Sequence, residues 1–229
     1  MIDIYIGYDE GEKIAYHTLS ESIRKFSSQP VRITPLSLNN IPKFTRKRES
    51  NQSTDFSFSR FLVPYISKYK GWSIYMDCDM MFRTDIAELW KRCFYSPWGE
   101  LAKYSVMCCK HDYTPKQDIK FRGAKNQAFP KKNWSSLMLF NNSQCTQLTP
   151  DFVNTVSGLD LHQFKWVLRE ELIGPLPLEW NWLVSEYEYN KDAKNVHWTL
   201  GGPWYKEFRD QDYSDEWHKL YKETTKVNL

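Results

Sequence analysis

A chain of 229 residues, 41% hydrophobic and 26% charged, has the makeup of one globular domain that buries its own core, so metal or disulfide staples are not needed for folding. A formal net charge of +3 permits an anionic partner without demanding one. Five cysteines, an odd number with Cys108 and Cys109 adjacent and no Cys-x-x-Cys pair, exclude a disulfide framework and a structural zinc site and fit free thiols in a reducing, cytoplasmic setting.

The first residues alternate: Ile2, Ile4 and Ile6 against Asp3 and Tyr5, the pattern of a strand rather than of a signal peptide. The chain turns at Gly7-Tyr8-Asp9. From Glu10 to Phe26, Ala15, Leu19, Ile23 and Phe26 share one helical face. Val31, Ile33, Leu36 and Leu38 predict a second strand, interrupted at Pro35. The basic stretch Lys43 to Arg48 reads as a loop. Ser53-Thr54-Asp55 offers capping oxygens for a helix to about Tyr69, with a kink expected at Pro64. Trp72 to Met76 is a short strand ending at Asp77-Cys78-Asp79, and Thr84-Asp85 starts a helix through Trp90.

Tyr104 to Cys109 reads as a buried strand. The polar segment Asp112 to Lys132, with Lys116, Lys120, Arg122, Lys125, Lys131 and Lys132, reads as a long loop of the kind that forms lids or binding loops. Trp134 to Phe140 is a strand, Thr149-Pro150 opens a short helix, and Asp160 to Leu168 is a further helix. Gly174 to Pro177 reads as a loop, Asn195 to Trp198 as a last strand and Ser214 to Thr224 as a terminal helix. No run approaches the roughly 20 apolar residues of a membrane span. The alternation of strands and helices predicts an α/β domain with a mainly parallel central sheet flanked by helices, and ligands are expected beyond the carboxyl ends of its strands.

Two candidates fall at such ends: Asp9, and the pair Asp77 and Asp79. Two carboxylates two residues apart at a buried strand end are costly to bury without a cation, and hard oxygen ligands suit Mg²⁺ or Mn²⁺. Two surface acids would give the same spacing, so this pair alone leaves both readings open. His197 follows a short strand and precedes Gly201-Gly202, so an imidazole and bare backbone N–H groups can meet one anion, and a histidine leans the metal toward Mn²⁺. Ten Trp and fourteen Tyr, in a chain 16% aromatic, suit stacking on sugar rings and nucleobases or else an aromatic core.

Taken in order, Gly7-Tyr8-Asp9, Ser53 to Phe61, Asp77-Cys78-Asp79, Asn133-Trp134-Ser135-Ser136, Glu179-Trp180-Asn181-Trp182 and His197 to Trp204 resemble the GT-A glycosyltransferases. Within them they resemble family 8, the group with glycogenin and bacterial galactosyltransferases, and its small viral and bacterial relatives. The resemblance covers most of the chain. It implies a single GT-A (Rossmann-like) domain over 1–229, with a nucleotide-binding part at about 1–110 and an acceptor-side part at about 111–229. It implies a UDP-sugar donor, UDP-glucose or UDP-galactose by default, and a divalent metal. Tyr8 would stack on uracil and Asp9 accept its ring N–H. Asp77, Asp79 and His197 would hold the metal, with Asp77 near the ribose. Gly201 and Gly202 would touch the diphosphate, and Arg60 would lie near the donor phosphate or sugar.

Two departures from the family's pattern stand out. Its lysine before the final Pro-Trp is Gly202 here, so Lys206 or a loop lysine is the expected substitute. Its Asp-Gln pair beside the transferred sugar corresponds to His162-Gln163, which leaves Gln163 as one catalytic candidate and Asp160 as a replacement acid. The resemblance implies retention of the anomeric configuration, with the leaving phosphate as base. The acceptor, a glycan, lipid-linked sugar, protein or nucleic acid, is not readable. A nucleotide-sugar or carbohydrate-binding protein without turnover is the alternative. A phosphotransferase using Asp77 as nucleophile is disfavoured by Met80 and Met81 after the second Asp.

Overall fold

The computed structural model describes residues 1–48, 52, 54–94, 103–123 and 125–225. Ser53 lies outside the described residues, as does the side chain of Arg122. Strand β1 (Ile2–Gly7) leads through a 3-10 turn at Glu10–Glu12 into helix α1 (Lys13–Phe26), and β2 (Val31–Leu36) returns parallel to β1. The helices that follow are α2 (Val63–Ile66), α3 (Ile86–Trp90), α4 (Pro150–Thr155), α5 (Gly158–His162) and α6 (Ser214–Thr225). The later strands are β3 (Trp72–Met76), β4 (Met80–Phe82), β5 (Val106–Cys109), β6 (Leu137–Asn141), β7 (Ile173–Leu176), β8 (Trp182–Leu183) and β9 (Asn195–His197).

Six strands form the central sheet in the order β2-β1-β3-β6-β5-β7, and β6 alone runs against the rest. The period-2 alternation sends side chains to two layers. Ile2, Ile4, Ile6, Ile74, Met76 and Leu139 pack with Leu19 and Ile23 of α1 and Ile86 of α3. Tyr5, Tyr75, Val106, Met138 and Phe140 pack on the other face with Phe61, Val153 and Trp166. Tyr5 is therefore buried, because β1 is covered on both faces. A third cluster, with Trp198, Trp217 and Leu220, lies under α6.

Several local expectations change. Pro35 does not interrupt β2, which is an edge strand and tolerates a residue without an N–H. For the same reason Gly174 to Leu176 is strand, not loop: it lies in the opposite edge strand β7, with Pro175 beside Cys108. The segment after Thr54 is two 3-10 turns followed by the short α2, and Pro64 sits in the first turn of α2 instead of kinking a longer helix. The helix expected to Leu168 stops at His162, because Phe164 takes a left-handed backbone (φ 59°) that buries its ring. Trp134–Ser136 is a 3-10 turn, and β6 starts at Leu137.

A second, three-stranded sheet, β4-β9-β8, was not expected from the sequence. It matters for the site. β4 begins directly after Asp79 and pairs antiparallel with β9, setting Met80 opposite His197. All five cysteines are free and buried. Among the described residues no helix is long and apolar enough to cross a membrane.

Candidate active site

Asp77 leaves the carboxyl end of β3 with its N–H donated to Ser136 O at 2.9 Å. Two residues on, Asp79 O accepts the N–H of Trp198 at 2.9 Å, which extends the β4–β9 pairing and draws His197 alongside. The result is a convergence: one ligand atom each from Asp77, Asp79 and His197 lies within 4.8 Å of the others. His197 Nε2 stands 3.3 Å from Asp79 Oδ1. Asp79 Oδ1 is buried, yet it takes no hydrogen bond.

Hydrogen bonding fixes the imidazole. Ser136 Oγ donates to Asn133 O at 2.7 Å, and a carbonyl can only accept. Ser136 Oγ must then accept from Asn181 Nδ2, 2.8 Å away. That turns Asn181 Oδ1 toward His197 Nδ1 at 2.9 Å, so Nδ1 carries a proton. Nε2 is left facing the two carboxylates, as in a metal-ligating histidine held by an outer partner. Two carboxylates, a nitrogen lone pair and an orphaned buried oxygen fit a divalent cation such as Mn²⁺ or Mg²⁺.

Arg60 braces the other side. Its Nη1 lies 2.9 Å from Asp77 Oδ1 and donates to Ser135 O at 2.9 Å, while Tyr75 OH donates to Asp77 Oδ1 at 2.6 Å. Burial raises the Asp77 carboxyl above its ordinary value, with Arg60 pulling against it and the Asp79 charge adding to it. Burial also acts on Asp79, but the His197 ring, when it carries a proton on Nε2, and then Lys120 outweigh it and hold that carboxyl below its ordinary value. The paired acids are pushed apart, a common property of functional sites.

These groups open on a cavity of about 910 Å³. Asp77 and Asp79 are its only lining carboxylates among the described residues; Arg60, Lys120, Lys125 and Lys132 also line it. The segment 112–132 is a loop, as expected, and forms one wall of this cavity. Lys120 Nζ donates to Thr199 Oγ1 at 3.1 Å. His162 lines the wall beside Ser135, with Nδ1 and Ser135 Oγ 2.7 Å apart, and burial pushes its pKa down to about 3, with Arg60 adding to the effect. No described Trp lines the cavity; Trp180, Trp198 and Trp217 are core residues.

The other sequence candidates lie outside the cavity lining. Tyr8 donates its hydroxyl to Glu10 at 2.8 Å. Asp9 accepts the N–H of Gly11 at 2.8 Å and of Asp55 at 3.2 Å, which ties the end of β1 to the segment carrying Arg60. Gly201 (φ 146°) and Gly202 are buried in a tight turn. A Cβ on Gly202 would stand 2.0 Å from the Trp204 ring, so that ring fills the space where the family's lysine would start. Lys206 is exposed. Asp160 pairs with Lys165 at 2.6 Å, and Gln163 presents its backbone carbonyl to Lys131. The loop lysines Lys120 and Lys132 and the half-buried His162 are cavity residues that spacing alone could not rank.

The basic stretch 43–48 is partly committed within the fold. Arg46 donates to Val153 O and Val156 O and stacks 3.9 Å over Phe58, and Arg48 pairs with Asp55.

No protein-family model matches the chain. It is 41% identical over 237 residues to the Arabidopsis thaliana protein CDI, covering 98% of this chain and 88% of that one. Among solved structures it is similar to the bifunctional glycosyltransferase WbbM, with a TM-score of 0.68 and 16% identity. That match covers 98% of this chain and 50% of WbbM, so the chain spans half the length of that protein. It is also similar to LgtC, with a TM-score of 0.62 and 12% identity over 99% of this chain and 97% of LgtC. A second LgtC structure, described as a galactosyltransferase with donor and acceptor sugar analogues, matches with a TM-score of 0.57. These structural likenesses identify the fold as GT-A.

Proposed function

Because the chain belongs to the family of the Arabidopsis thaliana protein CDI and has a GT-A fold, we propose that it is a metal-dependent glycosyltransferase taking its sugar from a UDP-sugar. The observation that carries this reading is the convergence of Asp77, Asp79 and a tautomer-fixed His197 beside a cavity at the end of β3. A divalent ion held there would neutralise charge developing on the departing diphosphate.

The chain's own groups do the rest. Arg60 and Lys120 add positive charge on the cavity wall. We assign uracil to Tyr8 and Asp9, diphosphate backbone contacts to Gly201 and Gly202, and the acceptor to the 111–229 side. Retention is the proposed stereochemical outcome. No described carboxylate besides Asp77 and Asp79 lines the cavity, so none is placed as nucleophile or base, and an oxygen of the leaving diphosphate would take the acceptor proton. Asp160, in its pair with Lys165, and Glu179 are the acids to revisit if the product anomer is inverted, with Gln163 kept as the candidate beside the transferred sugar.

The test is UDP release from a panel of UDP-sugars with and without Mn²⁺, with Asp79→Ala as control. Release that needs both metal and Asp79 supports the transferase. Tight UDP binding without release from any donor, acceptors included, supports a nucleotide-sugar-binding protein instead.

A further inference from the structure

We propose that Lys132 marks a subsite for a second anionic group, the carboxylate of the transferred sugar, so that the donor is a UDP-hexuronate in place of the default glucose or galactose; this rests on the glycosyltransferase reading above. Lysine is seldom buried without an acidic partner. Lys132 is 7% exposed and lines the cavity. Its ammonium donates to Gln127 O at 2.7 Å and lies 5.0 Å over the Phe129 ring, and it forms no ion pair with a described carboxylate. The acid that acts on it is Glu186, which does not line the cavity and whose Oε2 accepts the Lys116 N–H at 2.9 Å. Burial, with Lys120 adding to it, pushes the Lys132 amine down to about 7, and the opposing Glu186 charge does not offset it.

Two other cavity cations act on the metal-binding acids. Arg60 is paired with Asp77. Lys120 is acted on by Asp79 and Asp77, which places it for a diphosphate held over the metal pair. Lys132 lines the same cavity as the metal pair and His162, and its charge acts on His162. A sugar joined to a diphosphate held at the metal pair would occupy this same cavity.

The wall chemistry agrees. A neutral hexose offers hydroxyl donors, which ionised carboxylates accept best. Beyond the metal pair the described lining presents none; it presents Gln52, Thr54, Ser57, Ser135, the neutral His162 and lysines. A carboxylate on the sugar would meet Lys132 in a charge-assisted hydrogen bond.

The experiment is isothermal titration, with Mn²⁺, of UDP, UDP-glucose, UDP-galactose, UDP-glucuronate and UDP-galacturonate into the wild-type chain and Lys132→Gln. One hexuronate donor should bind at least about tenfold tighter than its matching hexose donor, and that ratio should fall toward one in Lys132→Gln. Equal or tighter binding of the hexose donor, or an unchanged ratio in the variant, overturns the proposal. The wild-type panel decides the preference whether or not the variant folds. Binding of UDP with no hexuronate preference removes this inference alone; no binding of UDP removes the glycosyltransferase reading as well.

Discussion

Asn181 accepts the Nδ1–H of His197 at 2.9 Å, and this bond decides which nitrogen of the imidazole faces Asp77 and Asp79. The bond is itself held by Ser136, whose own hydroxyl proton is committed to Asn133 O. Two segments distant in sequence, 133–136 and the one carrying Asn181, thus set the state of one ring. Asn181→Leu keeps the side chain's size but lets Nδ1 lose its partner. Metal affinity should drop about 10- to 100-fold, measured by titrating Mn²⁺ in the presence of UDP. Wild-type affinity in the variant would mean that the ring needs no such support.

Gly202 and Trp204 make a second testable pair. The family's lysine at this place makes Gly202→Lys the direct way to restore a diphosphate contact, but the Trp204 ring stands where any side chain would begin. Gly202→Ala alone should destabilise the fold by about 2 kcal/mol, a typical cost of overpacking, and Gly202→Lys should do no better. Thermal unfolding reads this directly. An alanine variant that melts with the wild type would show that the indole swings aside at little cost.

Acid should weaken the fold through two imidazoles. Burial pushes both His111 and His162 down to about 3 from an ordinary 6.5. Between those values the unfolded chain binds protons that the folded chain refuses, so stability is complete above about pH 6.5 and falls as pH drops through the window. His111 is 5% exposed, its Nδ1 is bonded to Tyr187 OH at 2.8 Å, and its Nε2 is buried without a partner, so a second proton there has nowhere to donate. His111→Phe forfeits the Tyr187 bond at every pH but should flatten the acid slope by about 1–2 kcal/mol between pH 7 and pH 4 in denaturant titrations. An equally steep slope in the variant would place the acid sensitivity elsewhere.

The site was readable where it follows strand ends. Ile2, Ile4 and Ile6 announce β1 by alternation, and the apolar run to Met76 puts Asp77 and Asp79 at the end of β3. Edge strands were harder, because Pro35 and Pro175 read as breakers until the sheet order shows that no neighbour needs their N–H. Of the small sheet only β9 was read, as the strand Asn195 to Trp198; β4 with three residues and β8 with two are too short for any period, so the pairing was not expected. Yet that sheet is what brings His197 to Asp79. The segment 112–132 shows its lysines but not their directions, since a loop has no repeat from which to read a facing side. Lys120 turns inward to Thr199 and Lys131 outward to Glu170, and nothing in their spacing distinguishes them.

Lys120 is the lysine most directly placed to replace the missing one near Gly202. Its ammonium sits 3.1 Å from Thr199 Oγ1, within the same His197 to Trp204 segment, and it lines the cavity. Burial pulls its pKa down while Asp79 and Asp77 hold it up, so its charge is coupled to the metal-binding acids. Lys206, three residues past Pro203, is exposed and outside the lining. A diphosphate contact from a half-buried ammonium is charge-assisted and strong, whereas one from an exposed lysine is screened and weak. Lys120→Ala should therefore weaken UDP binding with Mn²⁺ by about 10- to 100-fold, and Lys206→Ala by less than about twofold, in the same titration. The reverse order would hand the diphosphate to Lys206. It would also require the turn at Gly201 and Gly202 to open far enough for that side chain to reach inward past Trp204.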